Sequence, residues 1–239
     1  MTAVAGTGVH LPAWTAVVAW TTLGIGLVCA LWTLLDVARR PPAMPVMRVV
    51  WPVTMLFGGL LWLWFYLRWG REPRPESERR PGWVSVATGT SHCGAGCTLG
   101  DVIGETLVLL VPGTAAVAGA GTLFRDEMYA RWTVDLVLAF VIGVALQYAA
   151  IVPMRHLRPG RGLAEAVKAD TLSILAWQVG MYGLMAIVQL WLAPAWFGGR
   201  LPVASAQFWA AMQLAMLVGF ATSTPANVWL LRRGIKEPM

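Results

Sequence analysis

Six long apolar stretches run along the chain, at about 12–35, 48–68, 98–124, 132–153, 171–193 and 206–231, separated by short polar segments. Each is long enough to cross a bilayer as a helix, which takes about 20 mainly apolar residues. A helix satisfies its own backbone hydrogen bonds in hydrocarbon. The pattern therefore predicts an all-α fold, a polytopic transmembrane helical bundle of about six spanning helices. A membrane barrel would need shorter segments alternating apolar and polar side chains, and no such alternation is present.

Two polar interruptions are longer than the rest. Residues 69–91 carry Arg71, Pro73, Arg74, Pro75, Arg79 and Arg80. They divide a two-helix N-terminal membrane region with its basic Pro-rich loop (1–85) from a four-helix membrane core (86–239). Residues 155–170 hold Arg155, His156, Arg158, Arg161 and Lys168, and Leu163–Asp170 reads as a short interfacial helix leading into the fifth span.

Composition agrees. Hydrophobic residues make up 57% and charged residues 13% of the chain, about half the charge of a soluble domain. A soluble fold would leave wide apolar patches facing water, whereas fourteen tryptophans suit membrane interfaces. The net charge of +6 comes from Lys and Arg in the loops, so it reports topology and no nucleic-acid partner is expected. With six crossings and the N-terminus inside, twelve Lys and Arg fall inside and six outside. Positive residues favour the cytoplasmic side, which predicts a multi-pass protein of a bacterial inner membrane with both termini cytoplasmic. No Lys or Arg precedes the first apolar run, which is longer than a secretory core, so it is expected to stay as a span. Cys29, Cys93 and Cys97 do not form a disulfide framework.

The richest chemistry lies in Ser91-His92-Cys93-Gly94-Ala95-Gly96-Cys97-Thr98-Leu99-Gly100-Asp101 and continues to Gly104 and Glu105. On a helix, Cys97, Asp101 and Glu105 share one face, which Cys93 joins if the helix starts early, and Gly96, Gly100 and Gly104 form a parallel stripe beside it. Small residues at that spacing admit a second helix at close range. Carboxylates in a span are costly and usually face a protein interior or an aqueous cavity. His92, Cys93 and Cys97 are soft or borderline ligands suited to Cu(I) or zinc, and paired carboxylates suit proton binding. The bland alternative makes the cysteines small packing residues and the acids complements to the helix start.

Other polar groups are expected at the same end of the bundle. Asp170 and Ser173 open span five, Ser223 and Asn227 lie one turn apart on span six, and Pro225 between them removes a helical hydrogen bond. Met181 and Met185, with Met212 and Met216, pair four apart on spans five and six. They read as a path for a soft ion, or as flexible gap-fillers. Gln178 and Gln213 suit interhelical hydrogen bonds. Pro112 is expected to kink span three. Asp126, Glu127 and Asp135 read as a solvated ion-pair loop with Arg125 and Arg131. Only His10, His92 and His156 could serve a haem and none is expected deep in a span. A Gly-rich loop with its Lys is absent.

The segment 92–101, His-Cys-Gly-Ala-Gly-Cys-Thr-Leu-Gly-Asp, resembles the signature of a bacterial integral membrane family known only as a domain of unknown function. Further matches are Lys168-Ala169-Asp170-Thr171-Leu172-Ser173 and the end from Met212-Gln213 through Gly234-Ile235-Lys236-Glu237. The resemblance covers about 88–239. One departure is Thr224-Pro225, where the family has Tyr-Pro. The resemblance implies a four-helix core and lends no activity.

Two functions follow as expectations. The first is binding and transport or handover of a soft metal ion, Cu(I) ahead of zinc. His92, Cys93 and Cys97 would capture it at the cytoplasmic mouth, and Asp101 and Glu105 would supply compensating charge or a coupled proton. The second is a non-catalytic subunit or scaffold of a larger envelope assembly, with the glycine seam as an interface to a membrane partner or a second copy. Little supports an enzyme.

Overall fold

The computed structural model describes residues 2–3, 9–71, 81–111 and 113–236. The elements are α1 (Ala13–Arg39), α2 (Met47–Phe65, continued by a π-helical turn Tyr66–Gly70), α3 (Gly82–Leu110), α4 (Gly113–Val117), α5 (Glu127–Arg155), α6 (Pro159–Ile187, continued through Val188–Leu192 into α7, Ala193–Phe197) and α8 (Ala206–Arg232). A two-residue pairing of Thr2–Ala3 with His10–Leu11 precedes them. Six helical segments are long and apolar enough to cross a membrane, so the chain is an all-α, multi-pass membrane protein.

Local signals set the boundaries. The Asp126 side chain caps α5 by accepting from the Met128 N–H at 3.1 Å, and Ser205 caps α8 by accepting from Phe208. His156 ends α5 in the left-handed region at φ 49°, and Pro159 starts α6 where its missing N–H costs nothing. The Leu163–Asp170 stretch is continuous with α6 rather than a separate interfacial helix.

The third span departs from expectation. It runs from Gly82 to Leu110, not over 98–124. Residues 113–124 instead form the short α4 and turns. The polar residues of 82–101 hid the span from a hydropathy reading because here they are buried among other helices, not facing lipid. Every residue from Thr88 to Thr98 is buried. Pro112 lies outside the described residues, as do Arg74, Arg79, Arg80 and Glu237.

α3 is the central helix, touching α2, α5, α6 and α8. It packs most closely on α5 through small residues. A Cβ built at Gly96 would lie 2.5 Å from Gly143 Cα, and one at Gly100 would lie 2.4 Å from Ala139 Cα. Positions 96, 100 and 104 of α3 thus meet 143, 139 and 135 of α5, two four-residue ridges running in opposite directions. The expected glycine seam exists, and this chain itself uses it.

α2 does not continue straight. Gly59 has φ 50° and ψ −132°, a conformation reserved for glycine. On a straight helix Trp51 and Tyr66 would stand about 22 Å apart, yet their rings are 5.4 Å apart. Phe57 and Trp62, on either side of the turn, are 5.2 Å apart. Met47–Gly58 and Leu60–Gly70 therefore form two antiparallel arms that meet at Gly59. The arms are tied to the rest of the bundle. Trp62 Nε1 donates to Ser91 Oγ at 3.0 Å, and Gln213 Nε2 of α8 donates to the Leu56 carbonyl at 2.6 Å, just before the turn. Tyr66 and Arg71 both donate to Asp36 of α1, at 2.8 and 2.7 Å.

Candidate functional site

The buried face of α3 carries a polar ridge of His92, Cys93, Cys97, Asp101 and Glu105, all buried. From His92 to Glu105 it extends about 20 Å along the helix, two thirds of a hydrocarbon layer. The segment 92–97 therefore lies in the interior of the bundle and not at a mouth. His92, expected clear of any deep position, is one of the most enclosed side chains in the protein.

At one end of the ridge sits a closed cluster. Lys236 Nζ donates to Asp170 Oδ1 at 3.0 Å and to Asn227 Oδ1 at 2.9 Å. Ser173 Oγ donates to the same Asn227 oxygen at 3.0 Å. Asn227 Nδ2 donates to Ser223 Oγ at 3.1 Å, and Ser223 Oγ donates to the Ser173 carbonyl at 2.9 Å. Asp170, Ser173 and Asn227 thus converge as expected of that end. Lys236 was expected only as a topological charge; it is a fully buried ion-pair partner. The chain turns back after α8 at Gly234, φ 64°, and this delivers the lysine into the bundle. Asp170 and Lys236 both act electrostatically on His92.

In the middle, Cys97 lies against Cys93 and within electrostatic reach of Asp101 and Asp170. Gln178 Nε2 reaches Asp101 Oδ1 at 3.5 Å, a long contact. Asp135 of α5 joins the ridge through the glycine seam. The position of a Gly104 Cβ is taken up by Asp135 Oδ1, and Asp135 lies within electrostatic reach of both Asp101 and Glu105. This corrects the expectation of a solvated Asp135: the residue is wholly buried. Asp126 and Glu127 do form surface pairs, with Arg200 and Arg131. Residues 135, 139, 143 and 147 share one helical face, and Gln147 on it is also buried. That spacing was the available signal for Asp135.

At the far end, Arg131 bridges Glu105 at 3.2 Å and Glu127 at 2.7 Å. A cavity of about 220 Å³ opens there, lined by Glu105, Asp126, Glu127, Arg131 and Arg200 among others. Here the Arg200 guanidinium, donating to both Asp126 oxygens, holds that carboxyl below its usual range.

Several of these buried groups lack partners. Asp101 Oδ2, both Asp135 oxygens, Asp170 Oδ2, Gln178 Oε1 and both Gln147 polar atoms make no hydrogen bond. Neither His92 ring nitrogen makes a well-formed one, although the Leu146 backbone lies near. Buried polar groups are nearly always satisfied, so such a concentration asks for an explanation in function.

The methionines face inward as well. Met181, Met185, Met212 and Met216 are all buried, and Thr98 Oγ1 donates to Met216 Sδ at 3.7 Å. Among the described residues, no group of three or more His, Cys, Asp or Glu side chains is arranged to hold a metal ion.

The family model described as "Domain of unknown function (DUF4396)" matches residues 82–236. The chain belongs to this family. The matched DUF4396 region begins at the first residue of α3 and ends at Lys236, so it takes in the whole ridge and the lysine that closes it. No curated protein and no solved structure matches the chain.

Proposed function

We propose that this membrane protein binds protons on the α3 ridge and passes them along it, between the cleft at Glu105 and Arg131 and the buried Asp170–Lys236 pair. The observation that carries the reading is the set of four buried carboxyl groups, Asp101, Glu105, Asp135 and Asp170, three of which have oxygens with no donor. Removing a carboxylate from water without pairing it costs several kcal/mol. A proton supplies the missing charge, and acid and His chains inside membranes serve such relays. The cleft gives one end of the ridge access to water. His92, whose ring nitrogens make no well-formed hydrogen bond and which lies within electrostatic reach of Asp170, adds a further acceptor and donor.

The test is proton flux into proteoliposomes under an imposed potential, read with an internal pH dye. Asp101→Asn and Asp135→Asn are expected to lower the rate at least tenfold, and Glu165→Gln, at the partly exposed pair with Arg155 away from the ridge, to leave it within twofold. Equal flux in all four proteins, or none above empty vesicles in the wild type, removes the reading.

A second reading keeps Cu(I), or zinc, on His92, Cys93 and Cys97. The contact between Cys93 and Cys97 favours it, since two thiolates suit a soft ion. The missing third ligand group weighs against it. Elemental mass spectrometry of the same preparation, compared with the Cys93→Ser/Cys97→Ser variant, decides: stoichiometric metal in the wild type alone supports this second reading. The scaffold alternative loses its proposed seam, because α5 occupies it, and a partner would bind elsewhere.

A further inference from the structure

We infer that Met47–Gly70 is a re-entrant hairpin that enters and leaves the membrane on one face. The chain then crosses only at α1, α3, α5, α6 and α8. Its N- and C-termini lie on opposite sides, and the face bearing the C-terminus is the cytoplasmic one.

The hairpin follows from distances. Trp51 of the descending arm touches both Phe65 and Tyr66 of the returning arm, at 5.9 and 5.4 Å. A Cβ at Gly70 would meet the Trp51 ring at 2.6 Å. Residue 51 is therefore level with residues 65–70. The first arm spans twelve residues to the turn, about 18 Å, little more than half of the ~30 Å hydrocarbon layer. Broken helices inside membranes need their freed backbone groups satisfied by protein. Gln213 does this at the Leu56 carbonyl.

Neighbouring helices place the turn in depth. Gly26, midway along α1, packs on the Leu56 and Met55 carbonyls. Asp36, near the end of α1, holds Tyr66 and Arg71. So the end of α1 and both ends of α2 reach the same face. The start of α1 lies at the other face, where Thr15 accepts from Gln207 at the start of α8.

The charge distribution agrees independently. With a straight second span, Arg39, Arg40 and Arg48 would lie opposite the other basic loops. With the hairpin they join Arg68, Arg71, the 155–168 segment and the C-terminal Arg232, Arg233 and Lys236 on one face. Among the described residues that face holds twelve Lys and Arg, against Arg125, Arg131 and Arg200 on the other. Such asymmetry marks the cytoplasmic side. The expectation that both termini are cytoplasmic is replaced.

The test is labelling of variants carrying one introduced cysteine, in intact cells with a membrane-impermeant maleimide, before and after permeabilisation. The wild type, whose cysteines are all buried, is the background control. Pro41→Cys and Arg158→Cys are expected to label only after permeabilisation, and Leu123→Cys in intact cells. Labelling of Pro41→Cys together with Leu123→Cys overturns the hairpin. Should Pro41→Cys not accumulate, Arg40→Cys reads the same loop. Pro41→Cys and Arg158→Cys both labelling in intact cells, with Leu123→Cys protected, overturns the orientation while leaving the hairpin. Topology reporters fused to each terminus give the second measurement, and matching readings at the two ends refute the inference.

Discussion

Lys236 and Asp170 are both completely buried and 3.0 Å apart, which makes them the sharpest energetic prediction in the protein. Lys236→Met keeps much of the side-chain volume and removes the ammonium. Asp170 then keeps one oxygen that already lacks a donor and loses the partner of the other. Asn227 also loses one of the two donors that meet its Oδ1. Breaking a buried pair from one side costs roughly 3–5 kcal/mol. At roughly 2–4 °C per kcal/mol for a chain of this size, the melting temperature should fall by about 6–20 °C. Asp170→Asn should cost a similar amount by stranding the ammonium. The double variant removes both charges and should lose clearly less than the two singles together, by about 2 kcal/mol or more of coupling. Tryptophan fluorescence in detergent follows unfolding in all four proteins. Single variants within about 1 kcal/mol of the wild type, or strict additivity in the double, would refute the claim that this pair holds the C-terminal residues in the bundle.

Other outcomes follow from the same structure. Gly100→Ala places a methyl about 2.4 Å from Ala139 Cα, so α3 and α5 must part; thermal unfolding should show a loss of about 1–3 kcal/mol, and an unchanged melting temperature argues against the seam. Gly59→Ala forces a side chain to φ 50° and should cost about 1–3 kcal/mol, with Gly24→Ala, which meets nothing within 4 Å, as the neutral control in the same melt. Gln213→Leu strands the Leu56 carbonyl at the turn of the hairpin and should destabilise by about 1–3 kcal/mol in denaturant titration. Asp126 ionises more readily when folded, because of Arg200, so its contribution is fully present above its unfolded value and is lost as pH falls through the lower folded value. Both side chains are partly exposed, so Arg200→Ala should remove only about 0.5 kcal/mol and flatten stability against pH below about 4.

Much of the site was legible in the sequence because a helix converts spacing into a face. Cys97, Asp101 and Glu105 at four-residue intervals predicted a ridge, and Gly96, Gly100 and Gly104 predicted a close-packed seam. Both are present. What misled was hydropathy. It moved the third span toward residue 124, because a buried central helix is free to be polar while a lipid-facing segment is not. The Arg neighbours of Asp135 suggest a solvated loop, although its register with Ala139 and Gly143 points to the α3 seam. Lys236 could not be placed from sequence, because its burial depends on a turn after α8 that carries it back to Asp170.

The sequence by itself determined that the chain is an all-α membrane protein, since apolar runs of this length have no other way to satisfy their backbones in hydrocarbon. It also determined which α3 residues share a face, since that depends only on helical periodicity. Only the tertiary structure decided which helices are central, which carboxyl groups meet across α3 and α5, and that the second apolar run turns back at Gly59. A run of apolar residues has the same hydropathy whether it is straight or folded, and contacts between distant residues, such as Trp51 with Tyr66, are what tell the two apart.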